Sequence, residues 1–402
     1  MNGPLDGTVV LDLSRVLAGP WASQSLADMG ARVIKVERPG HGDDTRSWGP
    51  PYLESGDSRE SAYFLSANRG KESVAINFKD PRGQAILREL ARKADILIEN
   101  YKVGGLSAYG LDYDSIRKIN PAIVYCSISG FGQSGPYADK PGYDFMIQAI
   151  SGLMSITGTE QPTKVGVAVS DLITGLYASV GILGAYTRAR ETGQGEFIDV
   201  SLLDSQLAAL ANQASNFLVS GKSPGLAGNA HPNIVPYQVF KTADEAIVVA
   251  VGNDRQFAAL CWVIDRAELA TDPRFLLNSD RVNNRDALVS LVAAELASQP
   301  AAYWLPRLEA GSVPAGPVNT IAEALNDPHV LARQTVMQMQ RDDLGKVPGL
   351  RSPVRFRNCE VEQHRAPPRL GDSTWAVLRE LGLPDAEIET LAAAGVIAGE
   401  TP

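Results

Sequence analysis

The chain has 402 residues, of which 44% are hydrophobic and 21% are charged, and its formal net charge is −9. A surface with this excess of negative charge repels nucleic acid, so we expect no nucleic-acid partner. The sequence has three cysteines without a CxxC pair and only four histidines, which excludes a disulfide framework and predicts no metal site.

The first half of the chain alternates short β-type runs with helical segments. The predicted strands are residues 9–13, 33–36, 73–78, 95–98, 123–128 and 197–202. The predicted helices are one that Pro20 opens and Gly30 ends, one that Asp80 caps, one that ends at Asn120, and residues 171–188 and 204–219. This alternation predicts an α/β fold with a mostly parallel sheet, which binds ligands at the carboxyl ends of its strands.

The second half follows a different pattern after the Gly/Ser/Pro-rich segment 221–228, which we interpret as a domain boundary. Residues 237–240 and 246–251 predict an antiparallel hairpin, followed by helices near 254–264, 285–297 and 320–325. Residues 328–370 are rich in Pro, Arg and short β-type runs, and helices near 372–382 and 385–395 end the chain.

Neither export nor a membrane partner is indicated. Residues 1–14 lack the basic and then apolar pattern of a signal peptide. The uncharged stretch 172–187 is shorter than the roughly 20 residues that a membrane-spanning helix needs. We therefore expect a cytoplasmic protein with no membrane partner.

Four motifs at the ends of predicted strands are candidates for ligand binding. Three follow a strand and one precedes a strand. Residues 15–20 place a tight turn before a helix N-terminus, which suits an anion or the pantetheine arm of a cofactor. Residues 36–46 bring an arginine that can stack on adenine or hold a phosphate. Residues 68–71 add two cations, and residues 99–105 add a tyrosine, a lysine and two glycines. Each of these motifs also has an ordinary interpretation, as a turn or a solvated side chain.

A single carboxylate, Asp171, stands between an apolar strand-like run and an apolar helix. It, or Ser170 before it, could simply cap the helix. The two interpretations are compatible, because a helix dipole favours an ionised carboxylate and a carboxylate nucleophile must be ionised.

Together and in this order, these motifs resemble the class III (family III) CoA-transferases, the group that contains formyl-CoA:oxalate and carnitine CoA-transferases and α-methylacyl-CoA racemase. The strongest stretches are residues 17–46, 99–105, 125–136 and 170–201. The resemblance implies a Rossmann-like doubly wound large domain, a smaller α+β domain and an interlocked homodimer. The large domain would comprise residues 1–220 and a return segment 326–402, and the small domain residues 221–325.

The resemblance also implies a chemistry. Asp171 would attack an acyl-CoA thioester to give a mixed anhydride, then an aspartyl-CoA thioester, and then pass the coenzyme A to an acceptor acid. Coenzyme A is a substrate here, so the family pattern implies neither a permanently bound cofactor nor a metal. The residues that match the family's coenzyme A contacts are Arg15, Leu17, Ala18, Arg38, Lys71, Asn100 and Tyr101.

Several positions depart from particular family members. Formyl-CoA transferases have Gln at Leu17 and Arg at Ala108, and a glycine run where this chain has residues 251–254. The racemases have a histidine where this chain has Tyr143, and an ordinary tyrosine pKa of about 10 is poorly matched to proton abstraction. A transferase is therefore favoured, with Tyr143 and Asp144 orienting the acyl group. A racemase, or a coenzyme A-binding protein without catalysis, remains the alternative.

Residues 228–237 resemble a subgroup that uses succinyl-CoA with dicarboxylate acceptors. A dicarboxylate needs a cation for its far carboxylate, and Arg46 and Arg69 are the candidates. His231, within this segment, would donate a hydrogen bond in the substrate site or serve as a structural turn residue.

Overall fold

The computed structural model describes residues 3–359, 361 and 365–399. Its strands, in chain order, are β1 Val9–Asp12, β2 Arg32–Glu37, β3 Tyr52–Ser55, β4 Ser58–Ser61, β5 Lys71–Ile76, β6 Ile96–Glu99, β7 Val124–Ser129, β8 Glu196–Ser201, β9 Tyr237–Lys241, β10 Ala246–Ala250, β11 Ala315–Pro317, β12 Val336–Arg341, β13 Gly345–Leu350 and β14 Ile397–Ala398.

The α-helices, in the same order, are α1 Ala18–Ala27, α2 Ala62–Ala67, α3 Pro81–Lys93, α4 Tyr113–Ile116, α5 Asp144–Ile150, α6 Leu153–Ile156, α7 Val169–Thr192, α8 Leu202–Ala209, α9 Ala211–Ser220, α10 Asp254–Val263, α11 Asn278–Asn283, α12 Arg285–Leu296, α13 Ala301–Ala310, α14 Ile321–Leu325, α15 Pro328–Ala332, α16 Thr374–Glu380 and α17 Asp385–Ala393. Short 3₁₀ helices span Asp44–Ser47, Ser107–Tyr109 and Ala267–Thr271.

The chain divides into two compact units. The larger contains the described residues up to Ser151, then Gly166–Leu210, and those from His329 onward; the smaller contains Gly152–Val165 and Ala211–Pro328.

The larger unit is built on a sheet with the strand order β14-β5-β2-β1-β6-β7-β8. The inner strands are parallel and β14 is antiparallel to β5. The chain fills one side of β1 with β2 and β5, then crosses to the other side with β6, β7 and β8. This is a doubly wound order, and its switch point lies between β1 and β6.

Alternating side chains place a core on each face of this sheet. On one face, strand residues such as Val10 pack with α1 and α7. On the other, strand residues such as Leu11 pack with α3, α16 and α17. The prediction of a mostly parallel sheet with helices on both faces is confirmed, and the six predicted strands of the first half agree with the observed bounds within two residues.

The smaller unit has a three-stranded sheet in the order β11-β10-β9, and both of its strand pairs are antiparallel. Helices α10, α12 and α13 pack with this sheet around a core that includes Phe257, Val292 and Trp304. The predicted hairpin is confirmed as β9 and β10.

Two expectations about elements require correction. The single helix predicted over residues 204–219 is two helices, because Ala211 has a φ of 45°, which helical backbone does not allow. The division between units lies at that break, so α9 belongs to the smaller unit.

Helix α7 is longer than the uncharged stretch from which we argued against a membrane span, because polar residues extend it at both ends. Among the described residues it is the one helix long and apolar enough, by length and composition, to cross a membrane. A core helix of a folded protein meets the same criterion, and the buried residues of α7 pack against α1 and the main sheet.

Candidate active site

The carboxyl ends of β1, β6 and β7 border a cavity of about 770 Å³ in the larger unit. Its wall contains the turn 15–18 after β1, the segment 100–103 after β6, and the loop after β7 that ends at Tyr143. Asp171, in the first turn of α7, also lines it. Because β1 and β6 flank the switch point, the cavity lies where doubly wound sheets bind ligands.

The turn after β1 has a strained backbone. Val16 has a φ of 70°, which is a marked outlier for a β-branched residue. Its N–H points at the carboxylate of Asp43, at 3.2 and 3.3 Å from the two oxygens. On the other side, the Asn100 side chain accepts from the N–H of Arg15 at 2.8 Å and donates to its carbonyl at 2.7 Å. The turn is thus clamped from two sides, which fixes the start of α1 at the cavity.

A second cavity, of about 490 Å³, lies at the carboxyl ends of β2 and β5. The exposed Arg38 lines it, and Arg15, Asp44 and Tyr101 line both cavities. The Arg15 guanidinium pairs with Asp44 at 2.7 Å and lies 5.3 Å from the centre of the Tyr101 ring. The two cavities therefore adjoin across this group of side chains.

Asp171 is the third residue of α7 and is partly buried. Burial raises the pKa of Asp171, and the negative charge of Asp144 raises it further, to about 7. Our expectation that the helix dipole keeps this carboxylate ionised needs correction, because lost hydration and a neighbouring carboxylate outweigh the dipole. At neutral pH the group is divided between its ionised and protonated forms.

The cap of α7 comes from Asp144, which begins α5. Its Oδ1 accepts the N–H of Ser170 at 2.9 Å, and its Oδ2 accepts from the Gln148 side chain at 2.8 Å. The residue at the N-cap position, Ala168, has no capping side chain. Asp144 therefore both holds the start of α7 and raises the pKa of Asp171, and neither Ser170 nor Asp171 is the cap.

Tyr143 is 64% exposed and lines the larger cavity. Close backbone packing fixes the loop that carries it: a Cβ added to Gly142 would lie 2.3 Å from the Cα of Gly130. Only glycine permits such an approach, so the segment before Tyr143 lies directly on the chain that leaves β7.

Two aromatic residues that the sequence did not single out lie near Asp171. Trp48 lines the same cavity, and its ring centre is 5.1 Å from that of Tyr63. Burial raises the pKa of Tyr63 to about 12, and the negative charges of Asp171 and Asp144 add to the rise. The signal that could have identified Trp48 is its place just beyond the motif 36–46.

Lys71, predicted to contact coenzyme A, is fully buried away from both cavities. Its ammonium group donates to Asn68 at 2.9 Å, to the carbonyl of Pro20 at 3.0 Å and to Asp12 at 3.2 Å. Burial lowers the pKa of Lys71 to about 8 although Asp12 opposes the change. With all three donors used, Lys71 supports β1 and the start of α1 from inside the protein.

Arg46 and Arg69, the predicted cations for a far carboxylate, also form internal ion pairs. Arg46 pairs with Glu37 at 2.7 Å and with Glu60 at 2.6 Å. Arg69 donates its Nε to Asp28 at 2.8 Å and is 8% exposed. These partners occupy the guanidinium groups, so neither arginine is available to a substrate.

We expect Arg46→Met to lower the free energy of unfolding by about 3–5 kcal/mol, because it leaves Glu37 buried without its guanidinium partner and leaves Glu60 with Arg341 alone. Urea unfolding followed by circular dichroism measures the change. The control is Arg38→Met, which removes an exposed guanidinium and should shift the value by less than about 0.5 kcal/mol. Equal stability of the two variants would contradict the internal role of Arg46.

The smaller unit holds His231 and the segment that replaces the family's glycine run. The Nδ1 of His231 accepts the N–H of Asn233 at 3.1 Å, and its ring centre is 5.2 Å from that of Tyr237. The N–H of Gly252 donates to the side chain of Gln256 at 2.8 Å. These contacts suit a structural turn; hydrogen bonding of His231 to a substrate stays a prediction.

The structure thus brings most of the predicted site residues together. Those that line the larger cavity are Arg15, Leu17, Ala18, Asn100, Tyr101, Tyr143 and Asp171, with Arg38 on the adjoining one. Within the described part of the chain, no group of three or more His, Cys, Asp or Glu side chains is placed to hold a metal ion.

Comparisons with known proteins show which family the chain belongs to. The family model described as CoA-transferase family III matches residues 5–374. The succinate–glutarate CoA-transferase of Agrobacterium fabrum is 48% identical over 94% of this chain and 96% of its own length. The human succinyl-CoA:glutarate CoA-transferase is 45% identical over 98% of this chain and 90% of its own. The crystal structure of a CAIB/BAIF family protein from Brucella suis matches with a TM-score of 0.84 at 46% identity, covering 95% of this chain and 100% of that one.

Proposed function

Because the chain belongs to CoA-transferase family III, we propose that it moves coenzyme A from succinyl-CoA to a small dicarboxylate, with glutarate as the first acceptor to test. The observation that carries the proposal is that Asp171 lies in the wall of a cavity at the switch point, and that this cavity adjoins a second one whose lining includes Arg15, Arg38 and Lys79. One long ligand can therefore reach from the second cavity to the carboxylate.

The charges in the two cavities suit coenzyme A. The whole chain is acidic, so a polyanionic ligand needs local cations, and these line the cavities: Arg15, Arg38, Lys79, Lys102 and Lys140. The N-terminus of α1 adds the partial positive charge of its free N–H groups. We assign the nucleotide end of coenzyme A to the second cavity and the pantetheine arm to the larger one.

The chemistry proceeds by exchange at acyl carbons. The Asp171 carboxylate attacks the thioester carbonyl of succinyl-CoA, which releases the coenzyme A thiolate and forms a mixed anhydride. The thiolate then attacks the aspartyl carbonyl of that anhydride, which releases succinate and leaves an aspartyl-CoA thioester. The acceptor carboxylate attacks this thioester to give a second anhydride. The thiolate finally attacks the acceptor's acyl carbon and restores Asp171.

The environment of Asp171 suits this role. A carboxylate with a pKa of about 7 is a stronger base than an ordinary aspartate, and its lone pairs are less occupied by water. Tyr143 and Asp144 would orient the acyl group, Tyr143 from the cavity wall and Asp144 through the start of α7. A consequence of this raised pKa is that the Asp171 carboxylate becomes protonated, and so loses its charge, as the pH falls below 7.

We expect Asp144→Asn to shift the acidic limb of the activity–pH profile toward lower pH. Asparagine keeps an oxygen for the N–H of Ser170 but removes the negative charge that raises the pKa of Asp171. Asp171 then ionises at lower pH and is active there. Initial rates over a pH series measure the shift. An unmoved limb would show that the charge of Asp144 does not act on the reacting carboxyl.

We further propose that two copies form an interlocked homodimer, and that the enzyme works in the cytoplasm. The support for the dimer is an apolar patch on or next to α5 and the first half of α7, whose members are 41–68% exposed. The patch consists of Tyr143, Phe145, Met146, Ile150, Val167, Leu176, Tyr177 and Val180. Exposed apolar side chains of this kind are typical of an interface. Tyr143, which is one of them, lines the larger cavity and would bring a second copy to the active site.

Sedimentation of the purified protein tests the dimer. We expect a species with twice the 43.0 kDa of one chain that persists on dilution and does not exchange subunits with a tagged copy. A folded monomer at high dilution would refute interlocking.

The activity itself is tested by incubating the protein with succinyl-CoA and a series of acids, and following the CoA esters by mass spectrometry. We expect glutaryl-CoA and free succinate in equal amounts, and little exchange with butyrate, which lacks the second carboxylate. Exchange with no acid, together with loss of α-proton stereochemistry on a branched acyl-CoA, would instead indicate a racemase.

A further inference from the structure

The carboxyl end of β6 carries a buried acid that the steps above do not use. Glu99 is 6% exposed and ends the strand beside the switch point. Its Oε2 accepts the N–H of Tyr101 at 2.8 Å. Ser127 is its register partner on β7 and hydrogen-bonds to it, and Gln133 donates to the Ser127 hydroxyl at 2.9 Å. A chain of hydrogen bonds thus runs from the loop after β7 to the segment after β6.

That segment is the one that clamps the strained turn. Asn100 holds Arg15 through two hydrogen bonds, and the ring of Tyr101 lies beneath the Arg15 guanidinium and lines both cavities. The bond from Glu99 fixes the backbone at Tyr101, immediately beyond Asn100. A shift of this backbone would therefore move the clamp and the ring together.

Packing alone does not hold the segment in place. Behind it lies a third cavity, of about 300 Å³, which Glu99 lines. Lys102 and Val103 line this cavity and the Asp171 cavity alike, so the segment separates two open spaces. The ring of Tyr101 packs on Phe78, but Lys102 and Val103 have open space on both sides. The position of the segment therefore also depends on directional bonds, and the bond from Glu99 is the one nearest to the clamp.

A role in folding stability does not account for Glu99. No basic side chain of the described residues pairs with it, and burial raises the pKa of Glu99 to about 7 although hydrogen bonds from Ser127 and the Tyr101 N–H oppose the rise. An ionised carboxylate buried without a cation is a cost to the fold. The other titratable groups that face the same cavity are Lys102, Asp112, Tyr113, Asp114 and Tyr125.

We propose that Glu99 is a positioning residue for the coenzyme A thioester. Through the N–H of Tyr101 it holds Asn100 and the turn 15–18 in the binding geometry, and Ser127 and Gln133 hold Glu99 in turn. This inference depends on the proposed function, because the ligand it serves is the CoA thioester.

Calorimetric titration with coenzyme A, together with steady-state kinetics, tests the inference. We expect Glu99→Ala to raise the Kd for coenzyme A and the KM for succinyl-CoA about tenfold, because it loses a hydrogen bond to a buried N–H. The KM for glutarate and kcat should change less than about twofold. Glu99→Gln keeps an acceptor for Tyr101 and should restore binding to within about twofold of the unsubstituted protein.

A double-mutant cycle separates positioning from a general loss of structure. If Glu99 acts through the clamp, Glu99→Ala should add less than about twofold to the Kd of an Asn100→Ala variant. A full tenfold addition, or unchanged coenzyme A binding by Glu99→Ala, overturns the inference. Should Glu99→Ala not fold, Gln133→Ala replaces it, with an expected threefold rise in Kd, and no rise would count against the inference. If the unsubstituted protein binds no coenzyme A, the proposed function itself fails.

Discussion

Asp171→Asn is expected to abolish transfer, with a fall in kcat of about 10⁴-fold or more, because the variant has no carboxylate to form the anhydride. Binding of coenzyme A should persist, since the residues assigned to it lie on other segments. The free energy of unfolding at pH 8 should rise on the order of 2 kcal/mol, because the folded protein no longer bears an ionised, partly buried carboxylate. That advantage should decrease as the pH falls below 7 and vanish below about pH 3, since Asp171 is then protonated in both folded and unfolded chains.

The matched control is Asp139→Asn, which removes a carboxylate from the same cavity wall. Asp139 is exposed and has no part in the proposed steps, so we expect kcat within about twofold of the unsubstituted enzyme. Asp171→Ala guards against slow deamidation of the asparagine variant. Substantial transfer by Asp171→Ala would show that another group carries the acyl chain.

The second large effect is expected from Gly175→Ala, one turn beyond Asp171 on α7. A Cβ there would lie 2.7 Å from the carbonyl oxygen of Ala18 and 3.2 Å from the side chain of Trp21. The first contact is with backbone, so α7 must move away from the start of α1. We expect a loss of about 1–3 kcal/mol in the free energy of unfolding. We also expect a rise in the KM for succinyl-CoA, because Asp171 and the binding turn separate.

Gly184→Ala provides the control on the same helix. A Cβ on Gly184 meets nothing within 4 Å, and alanine is favoured over glycine in a helix by up to about 1 kcal/mol. We therefore expect unchanged or higher stability and unchanged kinetics. Urea unfolding and initial rates of the two variants side by side distinguish the effects. A similar outcome for both would mean that the close approach of α7 to α1 does not matter.

Much of the fold could be predicted because its signals are local. The parallel strands are short apolar runs bounded by turn residues, and Asp80 caps α3 by accepting from the N–H of Arg82, as the sequence indicated. The hairpin of β3 and β4 could not be predicted because its residues are mostly polar, without the apolar alternation that marks a strand. The helix break at Ala211 could not be predicted because nothing in the local sequence requires it.

The site residues, too, could be predicted only where the signal was local. Segments that follow strands, such as residues 15–18 and 100–101, could be placed because the carboxyl ends of neighbouring parallel strands meet. The ion-pair partners of individual cations could not be predicted from the sequence. Arg46 and Lys71 carry the same charge in the sequence as Arg38, but Glu37 and Asp12 approach them only through the tertiary fold. The rise in the pKa of Asp171 likewise depends on Asp144, which is 27 positions away.

The most direct test of Asp171 as the acyl carrier is isotope transfer. The enzyme is incubated with succinyl-CoA and with glutarate whose carboxylates carry ¹⁸O. It is then digested, and the mass of the peptide that contains Asp171 is measured by mass spectrometry. Each turnover should leave one acceptor oxygen on the Asp171 carboxylate, so we expect ¹⁸O at that residue and at no other. Formation of glutaryl-CoA without label in Asp171 would contradict the account.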